Sequence, residues 1–315
     1  MLKFIFKDIY DNEVELKSIL ALSINKEEDV PADDMTAVFA YQDLNELVSV
    51  RMYDNDEIEF TGIVDEQQKI IAGGGMYLKI IARSMAGALL DNESVPVTYN
   101  HPSTSLIFER HVKPFGITAY NGNDSTYFGE LVISKGMSNF QALSNFCNNC
   151  FSTTPRISSK GEVDINGLSY DKSVIFSPKD SDDGIEYISM TESIKRCEEV
   201  SAVNVKVSNS SGYSNVVKND DAQKRKIKRE RYLNAVLTDT PMKCADIMIK
   251  NGKQNSYYVK LVCPFRHLDI LGNKAVVKGA FLDSGKLENL YVSSVRYTLN
   301  HSTDSTTVLL KRRDV

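Results

Sequence analysis

Asp56-Glu57-Ile58-Glu59-Phe60-Thr61-Gly62-Ile63-Val64-Asp65, the turn Gly73-Gly74-Gly75, the run Met76-Tyr77-Leu78-Lys79-Ile80-Ile81-Ala82-Arg83 and the tail Ser84-Met85-Ala86-Gly87-Ala88-Leu89-Leu90-Asp91 follow one another almost without a break. The first run alternates at its start, the glycines supply a turn, the second run is strand-like and the tail reads as a short helix. The unit predicts part of a small antiparallel barrel. On its N-terminal side, residues 2–6, 14–24, 35–41 and 47–53 are rich in branched or aromatic side chains and bounded by Asp, Asn, Glu or Pro. Val48, Val50 and Met52 alternate with Ser49, Arg51 and Tyr53, the pattern of a wall with one buried face.

At Pro96 the character changes. Pro102, then Ser103 to Val112, offers a cap and a helical spacing of apolar residues that stops before Pro114. Ser138 can cap a second helix through Phe140, Leu143, Phe146, Cys147 and Phe151, whose spacing makes one apolar stripe. Arg156-Ile157-Ser158 and Glu162-Val163-Asp164-Ile165 flank Ser159-Lys160-Gly161, a hairpin signal. Residues 96 to about 182 therefore predict a small α+β domain.

From Gly184 strands return: Val203, Val205 and Val207 alternate with polar residues, as do Tyr257, Val259, Leu261 and Cys263. One helix is expected between them, capped by Thr238 or Asp239, with Pro241 in its first turn and Met242, Ala245 and Ile249 as its buried stripe. A closing hairpin is expected over 287–299 and 306–312. No solenoid-type repeat is visible. A longer-range echo is: 275–278, 283–286, 290–295 and 308–312 follow the order of 48–51, 54–57, 59–64 and 78–83, as two barrels of one design would.

Composition narrows the functional classes. A chain of 315 residues has room for about two or more domains, and its 42% hydrophobic and 25% charged content is that of an ordinary globular protein. The start, Met1-Leu2-Lys3-Phe4-Ile5-Phe6-Lys7-Asp8, lacks the apolar stretch of a signal peptide, and no apolar run approaches ~20 residues, so synthesis in the cytosol without membrane insertion is expected. Five cysteines cannot all pair within one chain, and thiols are expected. A net charge of −5 disfavours sequence-independent binding to nucleic acid.

Cys147-Asn148-Asn149-Cys150 has the spacing of a redox dithiol or half a zinc site. No second ligand pair follows it, and it lies late in an expected helix rather than at a helix start, so structural thiols are the better reading. His101, Glu109 and His111 share a short segment without the His spacing of i and i+4 that a helical metal pair requires, so surface or packing roles are expected. Gly73-Gly74-Gly75 lacks the Lys-Ser/Thr ending of a phosphate loop and precedes a strand. No nucleophile-elbow motif occurs. The strongest local charge is Lys224-Arg225-Lys226-Ile227-Lys228-Arg229-Glu230-Arg231. It is either a solvated strand or linker, or a contact for an acidic partner subunit made by Lys224, Arg225, Lys226, Lys228, Arg229 and Arg231. No catalytic, cofactor or metal residue is expected.

The order of parts from 56 to 91 resembles the N-terminal module of baseplate hub proteins of contractile phage tails and related injection machines, a family that includes late control protein D. Phe108-Glu109-Arg110-His111-Val112-Lys113-Pro114-Phe115-Gly116-Ile117 looks like that family's helix ending in a Pro-aromatic-Gly turn. Ile133 to Phe140 with the helix after it is similar to the next family element, and Val262-Cys263-Pro264 to Leu271-Gly272-Asn273-Lys274-Ala275-Val276-Val277 to the start of its last barrel. Two departures are a less evident glycine before the final strands and no lysozyme or spike extension after Val315, so cell-wall cutting would belong to another chain. The resemblance implies an α+β, β-rich fold of two similar antiparallel tube-like β-barrels with an inserted small α+β domain. The first barrel would be 1–95, the α+β domain 96–183, the second barrel 184–237 with 255–315, and 238–254 a helical insertion packing on the α+β domain.

By the same resemblance the chain is a non-enzymatic hub. Three copies would form a ring that joins a hexameric tail tube to a trimeric spike and nucleates the tube, with tube, spike and other baseplate proteins as partners. Three copies of two similar barrels give six quasi-equivalent modules, which matches the two symmetries. Alternatives are another baseplate or distal tail structural protein, a cysteine-dependent cell-wall hydrolase or thiol enzyme, and a carbohydrate-binding β-protein. The last lacks Trp for sugar platforms, although 15 Tyr are present.

Overall fold

The computed structural model describes residues 2–179, 183–207, 212–234, 240–279, 282 and 285–312. The chain is α+β and rich in strands. It divides into two compact units, one made of Met1–Lys172, Pro264–Asn273 and Ser294–Thr307, the other of Ser173–Cys263, Lys274–Ser293 and Val308–Val315.

The first unit opens with β1 (Leu2–Asp8), β2 (Glu13–Leu16), β3 (Ile19–Glu27), β4 (Asp34–Ala40), β5 (Leu47–Asp54), β6 (Glu57–Ala72) and β7 (Gly75–Ser84). They pair side by side in the order β3-β4-β7-β6-β5-β1-β2, every pair antiparallel. Period-two alternation places Phe4, Phe6, Leu22, Ile24, Met35, Phe39, Met52 and Ile80 on the buried face. The Phe39 ring meets the rings of Phe4 and Phe6 edge-on, at 5.1 and 6.0 Å between centroids. Two-residue turns set the registers of the β5–β6 and β6–β7 hairpins. Asn55 and Asp56 have φ of 47° and 70°, and Gly73 and Gly74 have 59° and 78°, the left-handed pairs that such hairpins require. At Gly62 a Cβ would stand 2.2 Å from Arg83 O, so only glycine admits the close approach of β6 to β7 there.

The α+β part follows with α1 (Ala86–Asp91), β8 (Val97–Asn100), α2 (Thr104–His111), a 3-10 turn at Lys113–Phe115, β9 (Tyr120–Asn121), β10 (Glu130–Ile133), α3 (Asn139–Phe151), β11 (Arg156–Ile157) and β12 (Val163–Asp164). Ser103 and Ser138 cap α2 and α3 as the sequence predicts. The turn ends at Gly116 in the left-handed region, and β11 and β12 form the expected hairpin. Leu89, Tyr99, Ile107, Phe108, Val112, Leu131, Ile133, Leu143 and Phe146 make one core.

The second unit contains β13 (Ser173–Pro178), β14 (Ile185–Tyr187), β15 (Ser189–Ile194), β16 (Ala202–Lys206), β17 (Asn215–Lys218), α4 (Asp220–Lys224), β18 (Glu230–Asn234), α5 (Pro241–Asn255), β19 (Tyr257–Pro264), β20 (Lys274–Lys278), β21 (Lys286–Asn300) and β22 (Thr303–Arg312). Pro264, the second half of β21 and the first half of β22 count with the first unit. The strand order is β15-β19-β22-β21-β20-β13-β14. Numbered by rank along the chain, with β16–β18 set aside, this is the same path as in the first unit. One strand differs in sense: β13 runs parallel to both β20 and β14, whereas β1 is antiparallel to β5 and β2, so β13 enters its place from the opposite end. The echo between 48–83 and 275–312 falls on β5-β6-β7 and β20-β21-β22, which hold matching places. Its turn residues Asp283 and Ser284 lie outside the described residues. No pairing among the described residues joins the ends of either path.

Between β15 and β19, where the first unit has a short turn from β3 to β4, stands a separate sheet of order β17-β16-β18 with α4 and α5. This corrects the reading of 203–207 as barrel wall: alternation marks Val203 and Val205 as buried on one side of a strand without saying which sheet the strand joins. The expected α5 caps Thr238 and Asp239 lie outside the described residues, and the N-cap position is Thr240, with Pro241 opening the helix. The helix lays Ala245, Met248 and Ile249 against Val200, Val203 and Val205 of its own unit. Its stripe is thereby used on that sheet rather than on the α+β domain. Met242, expected in the stripe, is 42% exposed: it lies in the first turn, ahead of Ala245, Met248 and Ile249, which meet the sheet.

Candidate assembly surface

The residues that invite a catalytic or metal reading are held apart, each in its own packing role. Ser138 Oγ accepts from Gln141 N at 3.2 Å while Gln141 Oε1 accepts from Ser138 N at 2.8 Å, a capping box that starts α3 and directs its stripe inward. Cys147 is thereby fully buried and Cys150 half-buried. Burial, and secondarily Cys150, pushes the Cys147 thiol up to about 12, so at neutral pH it is a protonated core group, not a thiolate nucleophile. Glu109 pairs with Lys113 on the surface at 2.7 Å. His111 is buried, its Nδ1 2.8 Å from Ser94 Oγ and 3.1 Å from Asn139 Oδ1, its Nε2 3.0 Å from Tyr99 Oη. Asn139 Nδ2 donates to Asn92 O, which leaves Oδ1 to accept from Nδ1–H, so Nε2 accepts from the Tyr99 hydroxyl. His101 lies outside α2 against the Phe128 ring. Among the described residues no group of three or more His, Cys, Asp or Glu could hold a metal.

The basic run is divided by the fold. Lys224 ends α4, Lys226 turns the chain with φ of 60°, and the buried Ile227 anchors the stretch before β18. Arg225 pairs with the buried Glu199. Arg229 is tied by its backbone, its carbonyl accepting from Ser201 N at 2.8 Å and from Ser201 Oγ at 2.9 Å. Lys226, Lys228 and Arg231 are exposed. Lys224 and Arg225 instead line a surface cavity of about 540 Å³ with Lys253, Tyr257, Arg312 and Ile194, the last residue of β15. The Arg312 guanidinium lies 4.0 Å from the Tyr257 ring centroid. The Tyr257 hydroxyl donates to Glu192 at 2.8 Å, and burial, then Glu192, raises it to about 12. Asp221, 3.6 Å from Lys253, is the carboxylate in the cavity wall.

Each unit also has a strand with an open edge among the described residues. β6 has 16 residues, but β5 pairs with it only as far as Ile63. Gln67 marks where β5 leaves: its side chain accepts from Leu47 N at 2.9 Å and donates to Asn45 O at 3.2 Å. Residues 65–72 of β6 then continue with β7 as their pairing strand among the described residues. β15 likewise pairs with β19 along one edge. Ile71, Ile188 and Ile194 on or beside these edges are 74%, 65% and 67% exposed. The length mismatch of β6 against β5 was the signal available in the sequence.

The fold these observations define is a β-rich α+β chain in which one seven-strand path occurs twice. It is similar in structure to a tail protein from Neisseria meningitidis MC58, with a TM-score of 0.76 at 16% identity over 99% of this chain and 96% of that one. It is also similar to the 43 kDa tail protein of prophage MuSo2 from Shewanella oneidensis, with a TM-score of 0.74 at 12% identity over 99% of this chain and 98% of that one. A third neighbour is the Escherichia coli protein c3393, a component of the type VI secretion system with structural similarity to the bacteriophage T4 tail proteins gp27 and gp5. The TM-score there is 0.56 at 7% identity, over 94% of this chain and 73% of that one. The chain has the fold of these tail proteins. No protein-family model matches it, and no curated protein matches it by sequence. No helix among the described residues is long and apolar enough to cross a membrane.

Proposed function

We propose that this protein is a structural hub of a contractile tail or tail-like injection particle. Three copies form a ring that connects the hexameric tail tube to the trimeric spike and nucleates tube assembly. The observation that carries the reading is the strand path repeated in one chain: two like modules per chain make six per trimer, so one ring can present six-fold surroundings to a tube and three-fold surroundings to a spike. The fold shared with phage and prophage tail proteins supports it. In this reading residues 1–95 hold one tube-like module, the strands of 173–194 with 257–312 form the other, and the α+β part follows the first module from residue 96 to about 172. The protein acts by geometry and is not an enzyme. Lys224, Arg225, Lys226, Lys228, Arg229 and Arg231 form a contact for an acidic partner subunit.

The test is reconstitution with the tail-tube and spike proteins of the same particle, read by electron microscopy. Three copies between tube and spike are expected, and an elongated tube formed without the chain would overturn the nucleating role. A second reading, another baseplate or distal tail structural protein, draws on the same neighbours and predicts a position away from the tube–spike junction. The thiol-enzyme alternative predicts that replacing both Cys147 and Cys150 with Ser abolishes a hydrolytic activity. The hub reading predicts unchanged assembly.

A further inference from the structure

We infer that the cationic cavity framed by α4, α5 and the ends of β15, β19 and β22 is a binding site for a partner's peptide segment that carries carboxylates beside an aliphatic side chain, with Arg312 as its anchor. The inference deepens the acidic-partner contact proposed above, on which it rests. It adds the ligand's chemistry and puts two anchoring groups, Lys253 and Arg312, outside the basic run.

The cavity stands where the inserted sheet meets the strand path of its own unit. Ile194 ends β15 opposite Tyr257, which opens β19, and β22 on the other side of β19 brings in Arg312. The inserted part supplies Lys224 and Arg225 from the end of α4 and Lys253 from the last turn of α5. Four cations distant in the chain thus line one cavity of about 540 Å³, and among the described residues Asp221 is the carboxylate beside them. Two of the four have a counter-charge: Arg225 in the buried Glu199, Lys253 in Asp221 at 3.6 Å. Lys224 and Arg312 pair with no carboxylate among the described residues. Like charges held together in a concave site raise the local concentration of anions.

The wall selects among anions. The Arg312 guanidinium lies 4.0 Å from the Tyr257 ring centroid, a stacked position that leaves the N–H edge of its fork free for a carboxylate. Tyr257 itself is 5% exposed and covered by Arg312, so the cavity offers no open ring on which a nucleic-acid base could stack. Ile194, 67% exposed, gives the cavity an apolar wall for an aliphatic side chain next to the carboxylates. The volume is that of a pocket for a multi-atom ligand rather than a single ion. A short acidic and aliphatic peptide segment meets all of these conditions.

The test is titration calorimetry on the full chain with three probes: the capped peptide acetyl-Glu-Ile-Glu-Glu-Ile-Glu-amide, the same peptide with Gln for every Glu, and an oligothymidylate of equal charge. The Glu peptide is expected to bind, more weakly as salt rises, and the other two to bind less tightly. Arg312→Gln, and separately Lys224→Gln with Lys253→Gln, are expected to lower the affinity about tenfold, the loss of a hydrogen bond between charged groups. Asp221→Asn removes the competing carboxylate and is expected to raise it about threefold, a gain that damage to the fold would not produce. Arg225 is left in place, because its removal would strand the buried Glu199. If Arg312→Gln lowers Tm, the double lysine variant carries the test, since Lys224 is exposed and the Lys253 side chain is 35% exposed.

Failure of the Glu peptide to bind, equal binding of the Gln peptide, or tighter binding of the oligothymidylate overturns the inference. So does unchanged affinity in the folded cavity variants. Affinity lost instead in Lys226→Gln with Lys228→Gln and Arg231→Gln, all outside the cavity, would overturn it while leaving the acidic-partner contact intact. Peptide binding in the cavity by a chain that engages neither tube nor spike protein supports the site and would sink the hub reading alone.

Discussion

Two buried polar side chains set how the first unit responds to substitution and to pH. Asp33 lies 7% exposed and pairs with Arg156, whose Nη1 also donates to Glu27 O at 2.8 Å. Burial raises the Asp33 carboxyl despite the adjacent guanidinium. Removing one partner leaves the other charge buried and uncompensated, so Asp33→Ala is expected to cost about 3–5 kcal/mol in denaturant unfolding. His111 is lowered below its ordinary 6.5 by burial, with Arg110 adding to the effect and the Asn139 hydrogen bond opposing it. The unfolded chain therefore takes up the proton first: stability from this group is full above about pH 6.5 and declines as the pH falls toward the lower folded value. Unfolding measured between about pH 7.5 and 5.5 should show that decline, and it should be shallower in His111→Gln. His267, lowered by burial as well, adds a decline of the same sign that the variant leaves in place.

The elements differ in how much of them could be read from local residues. Ser103 and Ser138 announce α2 and α3 because a cap is a contact between residues three apart, and the sequence holds both partners. Ser138→Ala removes the acceptor for Gln141 N and is expected to destabilise the chain by about 1 kcal/mol, read as a shift in denaturant midpoint with unchanged slope. The hairpins were legible for the same reason: Gly73-Gly74 and Asn55-Asp56 suit left-handed turn positions. Residues 202–206 are legible as a strand but not as to sheet, since Val203 and Val205 look the same against α5 as inside a barrel. Met242 has the spacing of the stripe but stays exposed, because a first-turn residue sits where the helix has not yet reached its packing partner.

At the scale of the whole molecule, the candidate surface separates into backbone edges and a cationic cavity. Lys224→Glu with Lys228→Glu reverses charge at exposed positions without touching the Arg225–Glu199 pair. The double variant is expected to keep its Tm and to weaken binding to an acidic partner subunit, with most of the loss at low ionic strength, as titration calorimetry at two salt concentrations would show. Of the site, the sequence revealed the basic run, because charge is a property of the residues themselves. It did not reveal that Lys224 and Arg225 share a cavity with Arg312, which is distant in the chain and arrives there on β22. Alternation, caps, turn residues and the echo of 48–83 in 275–312 were determined by the sequence alone, since each depends on side chains within one short stretch. Which strands lie side by side, which sheet receives α5, and that 65–72 and β15 keep an edge each were decided by the tertiary structure. The reason is physical: strand pairing is made by backbone N–H and C=O groups that are the same in nearly every residue, so no residue type names its partner strand.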